Sequence, residues 1–345
     1  MSLKLMFSKK VAVLTLAGVS IAIVLAATFS PQPSSWISSV LEQQSFSSLS
    51  GRPGNDGPVL VVKIDDTSMA HPQIGLERAD IVYIEQVEGG LTRLAAIYSS
   101  DIPTLIGPVR SARISDLELL SQFGKVAFAY SGAQKLLRPE ISAANLVDLG
   151  AQSMSSLIYT TDPERTPPYA MVLRADLLMN YIAEKGLEID SSKSPGWKFS
   201  DSTDLGVNFQ SVKVSWPANS YEATWSPQKN AFELSHGGKP NYSSTGQILT
   251  ADTFVIQLVS ITDSIYKDKV GGVTPFSATV GSGRGFILRD GKYIEGVWSR
   301  PTPESGTQWS TPEGKEITFA AGSIWIALTD KEPVFAVKPA DAAPR

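Results

Sequence analysis

Residues 79–113 read ADIVYIEQVEGGLTRLAAIYSSDIPTLIGPVRSAR. Two β-rich runs, Asp80–Val87 and Leu91–Ser99, flank Glu88-Gly89-Gly90, and a Gly-Gly pair between such runs predicts a hairpin. Alternation along the first run puts Glu85 and Val87 on one face, with Glu88 near the turn. Arg113 then opens a helical pattern, ISDLELLSQFG, with Ile114, Leu117, Leu120 and Phe123 apolar and Gly124 placed to end it. Arg110 and Arg113 therefore fall near a helix N-terminus. Free N–H groups and the helix dipole favour an anion there, and guanidinium forks bind carboxylate or phosphate through two parallel hydrogen bonds. Internal ion pairs to Asp65, Glu85 or Glu88 are the structural alternative.

Upstream, VLVVKI at Val59–Ile64 reads as a strand buried on both faces. It ends in Asp65-Asp66, which either contribute to a site at the strand end or cap the next turn. Downstream, VAFAY at Val126–Tyr130 is a further buried strand, and Ala175–Lys185 is helical. Ser131 lies at a strand end without a G-x-S-x-G elbow and reads as a turn serine. This alternation predicts an α/β or α+β domain over 58–190. Composition then turns to Ser, Lys, Pro and Gly, helical patterns vanish, and a β-rich domain is expected over 205–330, followed by a frayed tail at 331–345. Gly281-Ser282-Gly283-Arg284-Gly285 precedes a strand hairpin rather than a helix, so it predicts a glycine-rich bend, not a phosphate cradle. Trp216, Trp225, Trp298, Trp309 and Trp325 are either a carbohydrate platform or β core.

The ends and the composition bound the setting. Lys4, Lys9 and Lys10 precede an apolar run, Val11–Ala27, and no charge follows until Glu42. Residues 1–28 are thus a retained membrane anchor or a cleaved export signal, and both place the body outside the cytoplasm. Residues 29–57 read as a flexible linker. A net charge of −4 over 345 residues gives no electrostatic case for nucleic acid. The absence of cysteine excludes disulfides, thiol nucleophiles and thiolate metal sites, and two histidines leave little room for a histidine-rich centre. No cofactor and no metal is expected.

The chain resembles the YerB-like bacterial envelope proteins. The resemblance runs through His71-Pro72-Gln73, Gly75-Leu76, Ala79-Asp80-Ile81-Val82-Tyr83, Glu88-Gly89-Gly90, Thr92-Arg93 and Ile106-Gly107-Pro108-Val109-Arg110-Ser111-Ala112-Arg113. It resumes at Val255-Ile256-Gln257, Gly281-Ser282-Gly283, Gly296, Trp298 and Gly322-Ser323-Ile324-Trp325-Ile326. It implies two adjoining domains behind an export signal and supplies no activity. Three features depart from the family. There is no cysteine to carry a lipid, His71 stands where Arg is common, and Pro167-Pro168-Tyr169-Ala170 replaces an Ala-Pro-His-Asn-like segment.

The expected function is an extracytoplasmic binding or accessory protein. Its candidate ligand site comprises Asp65, Glu85, Glu88, Arg93, Arg110, Ser111 and Arg113. The expected partner is an anionic cell-wall component or another envelope protein, with the membrane reached through the N-terminal helix. The competing reading is an envelope hydrolase that uses Asp65, Asp66, Glu85 and Glu88 as acid and base or as oxygen ligands. A third is a scaffold offering a sheet edge.

Overall fold

The computed structural model describes residues 45–336. The expected anchor or signal lies outside them, as do most of the expected linker and the end of the tail. Among the described residues no helix is long and apolar enough to cross a membrane.

The fold is built on one mixed sheet of eleven strands, to which both sequence regions contribute. Its centre is Ile324–Thr329, parallel to Ile81–Gln86 on one side and to Thr253–Leu258 on the other. Outward on the first side come Thr92–Tyr98, Leu60–Asp65, Val126–Ala129 and Leu146–Asp148; outward on the other come Gly281–Arg289, Lys292–Arg300 and Gln308–Ser310. Burial on both faces explains the near-continuous apolar runs IVYI, LVVKI and IWIAL. One face carries Leu60, Val62, Ile64, Val82, Leu94, Phe254 and Trp325. It packs on a second, antiparallel sheet formed by Ser211–Ser215, Ser220–Ser226, Ala231–His236 and shorter strands. The other face carries Val61, Tyr83, Ala95, Ile97, Val255 and Ile326, packed with Leu119, Leu120 and Phe123.

The predicted hairpin forms with Gln86 opposite Thr92. Its turn is a 3₁₀ segment, Glu88–Gly90, in which Gly89 and Gly90 take φ of 68° and 72°. The helix runs Ile114–Leu120 with Arg113 at its N-cap and Gly124 (φ 80°) beyond the following 3₁₀ turn. Asp290-Gly291 joins Gly281–Arg289 to Lys292–Arg300, both turn residues at positive φ, as a two-residue hairpin requires. The architecture is mostly β with three short α-helices in the first region, closer to α+β than to α/β.

Several expectations are corrected. The end of the expected linker is ordered: within residues 45–57, Leu49 and Ser50 are fully buried. Asp80, itself buried, holds this segment by accepting from the Ser47 and Ser50 hydroxyls, and it also accepts from Ser99 N at 2.8 Å and Ser100 N at 3.0 Å. Val334–Ala336, within the expected tail, pairs with Ser211–Ser215. Trp216, Trp298, Trp309 and Trp325 are core residues, at most 3% exposed, so they present no carbohydrate platform.

Candidate functional site

The segment Gly107–Arg113 is laced across the end of the Leu60–Asp65 strand. Asp65 N donates to Pro108 O at 2.9 Å and Arg110 N to Lys63 O at 2.8 Å. Ser131 N then donates to Arg110 O at 2.9 Å, and Ala112 N to Gly132 O at 3.0 Å. These bonds fix Arg110 and Arg113 at the floor of a cleft of about 740 Å³. The hairpin turn supplies Glu88, Leu91 and Arg93, and a second hairpin, Ile261–Lys267 with Val273–Ser277, supplies a wall at Tyr266–Val270 and Thr274. Thus the second sequence region completes a cleft begun by the first.

Within the cleft Arg113 pairs with Glu88, Nε to Oε1 at 2.6 Å and Nη2 to Oε2 at 2.7 Å. The Thr274 hydroxyl donates to the same carboxylate. Burial would raise the Glu88 pKa, but the Arg113 fork outweighs it and holds the carboxyl below its ordinary value. Arg110 pairs with Asp65, whose Oδ1 also accepts from Thr67 N at 2.7 Å, and the Arg110 guanidinium lies 5.7 Å from the Tyr169 ring centroid. Both arginines keep an exposed fraction, 21% for Arg110 and 11% for Arg113. Ser111 contributes its carbonyl to Arg93 Nη1 at 3.1 Å and to Arg113 Nη1 at 3.4 Å, and its hydroxyl lies 3.5 Å from that of Ser131.

Arg93 differs from its neighbours. Strand register sets it across from Asp65 on one side and Glu85 on the other, yet Asp65 is taken by Arg110 and Glu85 by Lys63. No carboxylate among the described residues lies within ion-pair distance of it, and it is 9% exposed. Burial, then the positive charges of Arg113 and Arg110, push its pKa down to about 9. The cleft as a whole is lined by six basic residues (Arg93, Arg110, Arg113, Arg138, Lys267, Lys269) against two acids, Glu88 and Asp268, in a chain of net charge −4. The recess is therefore cationic, with apolar side chains in its walls.

Glu85 is not part of this cleft. It lies with Lys63 and Asp116 in a sealed cluster, Lys63 Nζ being 2.7 Å from Glu85 and 2.6 Å from Asp116. Burial, then the Asp116 charge, pushes Glu85 up to about 8.

A second polar cluster was not legible in sequence spacing. Asp66, fully buried, points to the opposite side from Asp65. Its Oδ1 accepts from Tyr221 Oη at 2.7 Å and its Oδ2 from Thr92 Oγ1 at 2.5 Å. His71 Nε2 lies 3.3 Å from Oδ1 and His236 Nε2 3.6 Å from Oδ2, with the two imidazoles stacked at 4.2 Å. Burial would raise the Asp66 pKa. The His71 hydrogen bond, the charges of His236 and His71, and Thr92 together bring it below its ordinary value, while burial lowers that of His236. The chain's two histidines thus meet from its two regions, and the four acids of the hydrolase reading are each engaged by a different base or pair of bases.

Comparisons with known proteins agree with this architecture. Residues 48–188 match the family described as "Protein of unknown function (DUF3048) N-terminal domain", and residues 212–326 match the corresponding C-terminal domain. A relative from Bacillus subtilis (strain 168), "Putative lipoprotein YerB", is 28% identical over 284 residues, 79% of this chain and 80% of the relative. The crystal structure of YerB protein from Bacillus subtilis aligns with a TM-score of 0.70 at 21% identity, over 84% of this chain and 99% of that one, a likeness of fold.

Proposed function

The chain belongs to the YerB-like (DUF3048) family, and from that premise we propose that it is an extracytoplasmic envelope protein whose arginine cleft receives the anionic group of a ligand. The observation that carries the reading is Arg93: a buried guanidinium at the cleft floor, with no carboxylate of its own and two further arginines beside it. A buried cation without a partner is costly, and a bound phosphate or carboxylate removes that cost. The forks of Arg110 and Arg113, partly open and already aligned by Asp65 and Glu88, suit a planar or tetrahedral oxyanion. The walls formed by Leu91, Val109, Pro168 and Met171 suit an apolar portion of the same ligand.

The location rests on the basic-then-apolar N-terminus and on the relative's designation as a lipoprotein. This chain has no cysteine for a lipid, so attachment to the membrane would need residues 1–28 to be retained rather than cleaved. The hydrolase reading is not carried further, because Asp65, Asp66, Glu85 and Glu88 do not form an open pair.

The test is calorimetric titration with glycerol-phosphate oligomers and with carboxylate-bearing peptidoglycan fragments. Wild type is expected to bind one of these classes, with binding lost in Arg93→Met and weakened in Arg110→Ala and Arg113→Ala. Equal binding by all four proteins rejects the site.

A further inference from the structure

We propose that Asp66, His71 and His236 form a binding site for a divalent transition metal of the zinc type, independent of the arginine cleft. The three residues offer ligand atoms that all lie within 4.8 Å of one another. Two imidazoles and a carboxylate are the donor set that suits zinc and its neighbours rather than magnesium or calcium, whose ligands are all oxygens.

The surroundings are those of a ligand set rather than of a simple ion pair. In a neutral His71 ring, Asn241 Oδ1, 3.0 Å from Nδ1, takes the single proton, and the Nε2 lone pair is then the one directed to Asp66. Asn219 Nδ2 lies 2.8 Å from His236 Nε2 and likewise marks that nitrogen as the lone-pair side. The Gln73 and Asn219 amide nitrogens are the donors that the two ring nitrogens and the Asp66 carboxylate share, and a cation would take their place. The Tyr221 and Thr92 hydroxyls orient the Asp66 carboxylate from behind, as outer partners of metal ligands do.

Gln73 gives a second, independent sign. Its amide nitrogen is 3.1 Å from His71 Nε2 and 3.3 Å from Asp66 Oδ1, while its Oε1 is buried without a hydrogen-bond partner among the described residues. Turning that amide over as the metal binds would exchange a donor for an oxygen ligand at the same place, at the cost of the 3.3 Å hydrogen bond from the amide nitrogen to Asp65 O. Asp66, His71 and Gln73 then stand at the roughly 3.3 Å separation that donors about 2.0–2.1 Å from a tetrahedral ion have. Asp66 and Gln73 are sealed, whereas the His71 and His236 side chains are 17% and 12% exposed, so the ion enters along the imidazole edges. The bound metal would fasten the loop after Leu60–Asp65 to the Ala231–His236 strand of the second sheet.

The test uses the full-length chain, freed of any affinity tag and stripped with chelator, then titrated with zinc chloride. One ion per chain is expected, with a rise in melting temperature that magnesium does not reproduce. His71→Gln and His236→Gln should each weaken zinc binding by at least about tenfold. Arg93→Met should bind zinc as wild type does, which separates this site from the anion cleft. Titration of wild type with cobalt(II) gives a read-out that does not depend on the variants folding: visible bands of imidazole-bound cobalt are expected. Absence of those bands, no zinc stoichiometry, or zinc binding unchanged in both folded histidine variants overturns the proposal.

Discussion

Replacing Arg93 with methionine separates the two roles a buried guanidinium can have. If Arg93 ties the fold together, its loss is destabilising; if it waits for an anion, the free protein is better without its charge. A pKa pushed down to about 9 from an ordinary value above 12 corresponds, at about 1.4 kcal/mol per pH unit, to several kcal/mol of unfavourable burial. Relaxation around the charge reduces that figure, and the hydrogen bond to Ser111 O, worth about 1 kcal/mol, is forfeited. Asp65 and Glu85, across the strands, remain neutralised by Arg110 and Lys63. The net expectation for Arg93→Met is a gain of about 1–2 kcal/mol in urea unfolding and a rise of a few degrees in melting temperature. Arg110→Met and Arg113→Met should behave oppositely. Each strands a buried carboxylate, Asp65 or Glu88, and should lose about 3–5 kcal/mol. Adding the cognate anion at fixed ionic strength should raise the melting temperature of wild type but not of Arg93→Met. A fall in stability for Arg93→Met comparable to that of its neighbours would refute the reasoning, because the guanidinium would then be a structural tie.

Other expectations follow from the same geometry. Glu85, raised to about 8, contributes stability that is complete below the ordinary glutamate range near 4 and is lost as pH rises through about 8. Glu85→Gln should therefore flatten the pH profile of urea unfolding over that window, by up to about 1.4 kcal/mol per pH unit, and parallel profiles would refute the assignment. Asp80→Ala removes the acceptor of the Ser47, Ser50, Ser99 and Ser100 donors. It should cost about 3 kcal/mol and expose residues 45–57 to limited proteolysis; an unchanged digestion pattern would show that the segment docks by other means. Gly90→Ala would place a Cβ 2.4 Å from Pro217 Cβ at a φ of 72°, and should cost about 1–3 kcal/mol by thermal melt.

What the sequence disclosed and what it withheld have physical reasons. The hairpin, its Gly-Gly turn and the helix after Arg113 are local features whose signals lie within a few residues, and they formed where periodicity put them. The Arg113–Glu88 and Arg110–Asp65 pairs were among the alternatives that residue types allow. The isolation of Arg93 depends on which acids its neighbours claim, a matter of register across three strands that no linear pattern records. His71 and His236 meet only because the second sheet folds over the end of the first, and residues 45–57 are held by distant partners such as Asp80, Ser192 and Gly322. Glu85 was placed on the correct strand, but its partner Lys63 turned it inward, away from the cleft.

The strand Ile324–Thr329 occupies the middle of the large sheet although it follows every other strand of that sheet along the chain. Until it is in place, Ile81–Gln86 and Thr253–Leu258 each present an open hydrogen-bonding edge, and the two halves of the sheet have nothing to join them. Removing that one strand would split the sheet into two halves with bare margins, the kind of surface on which chains stick to one another.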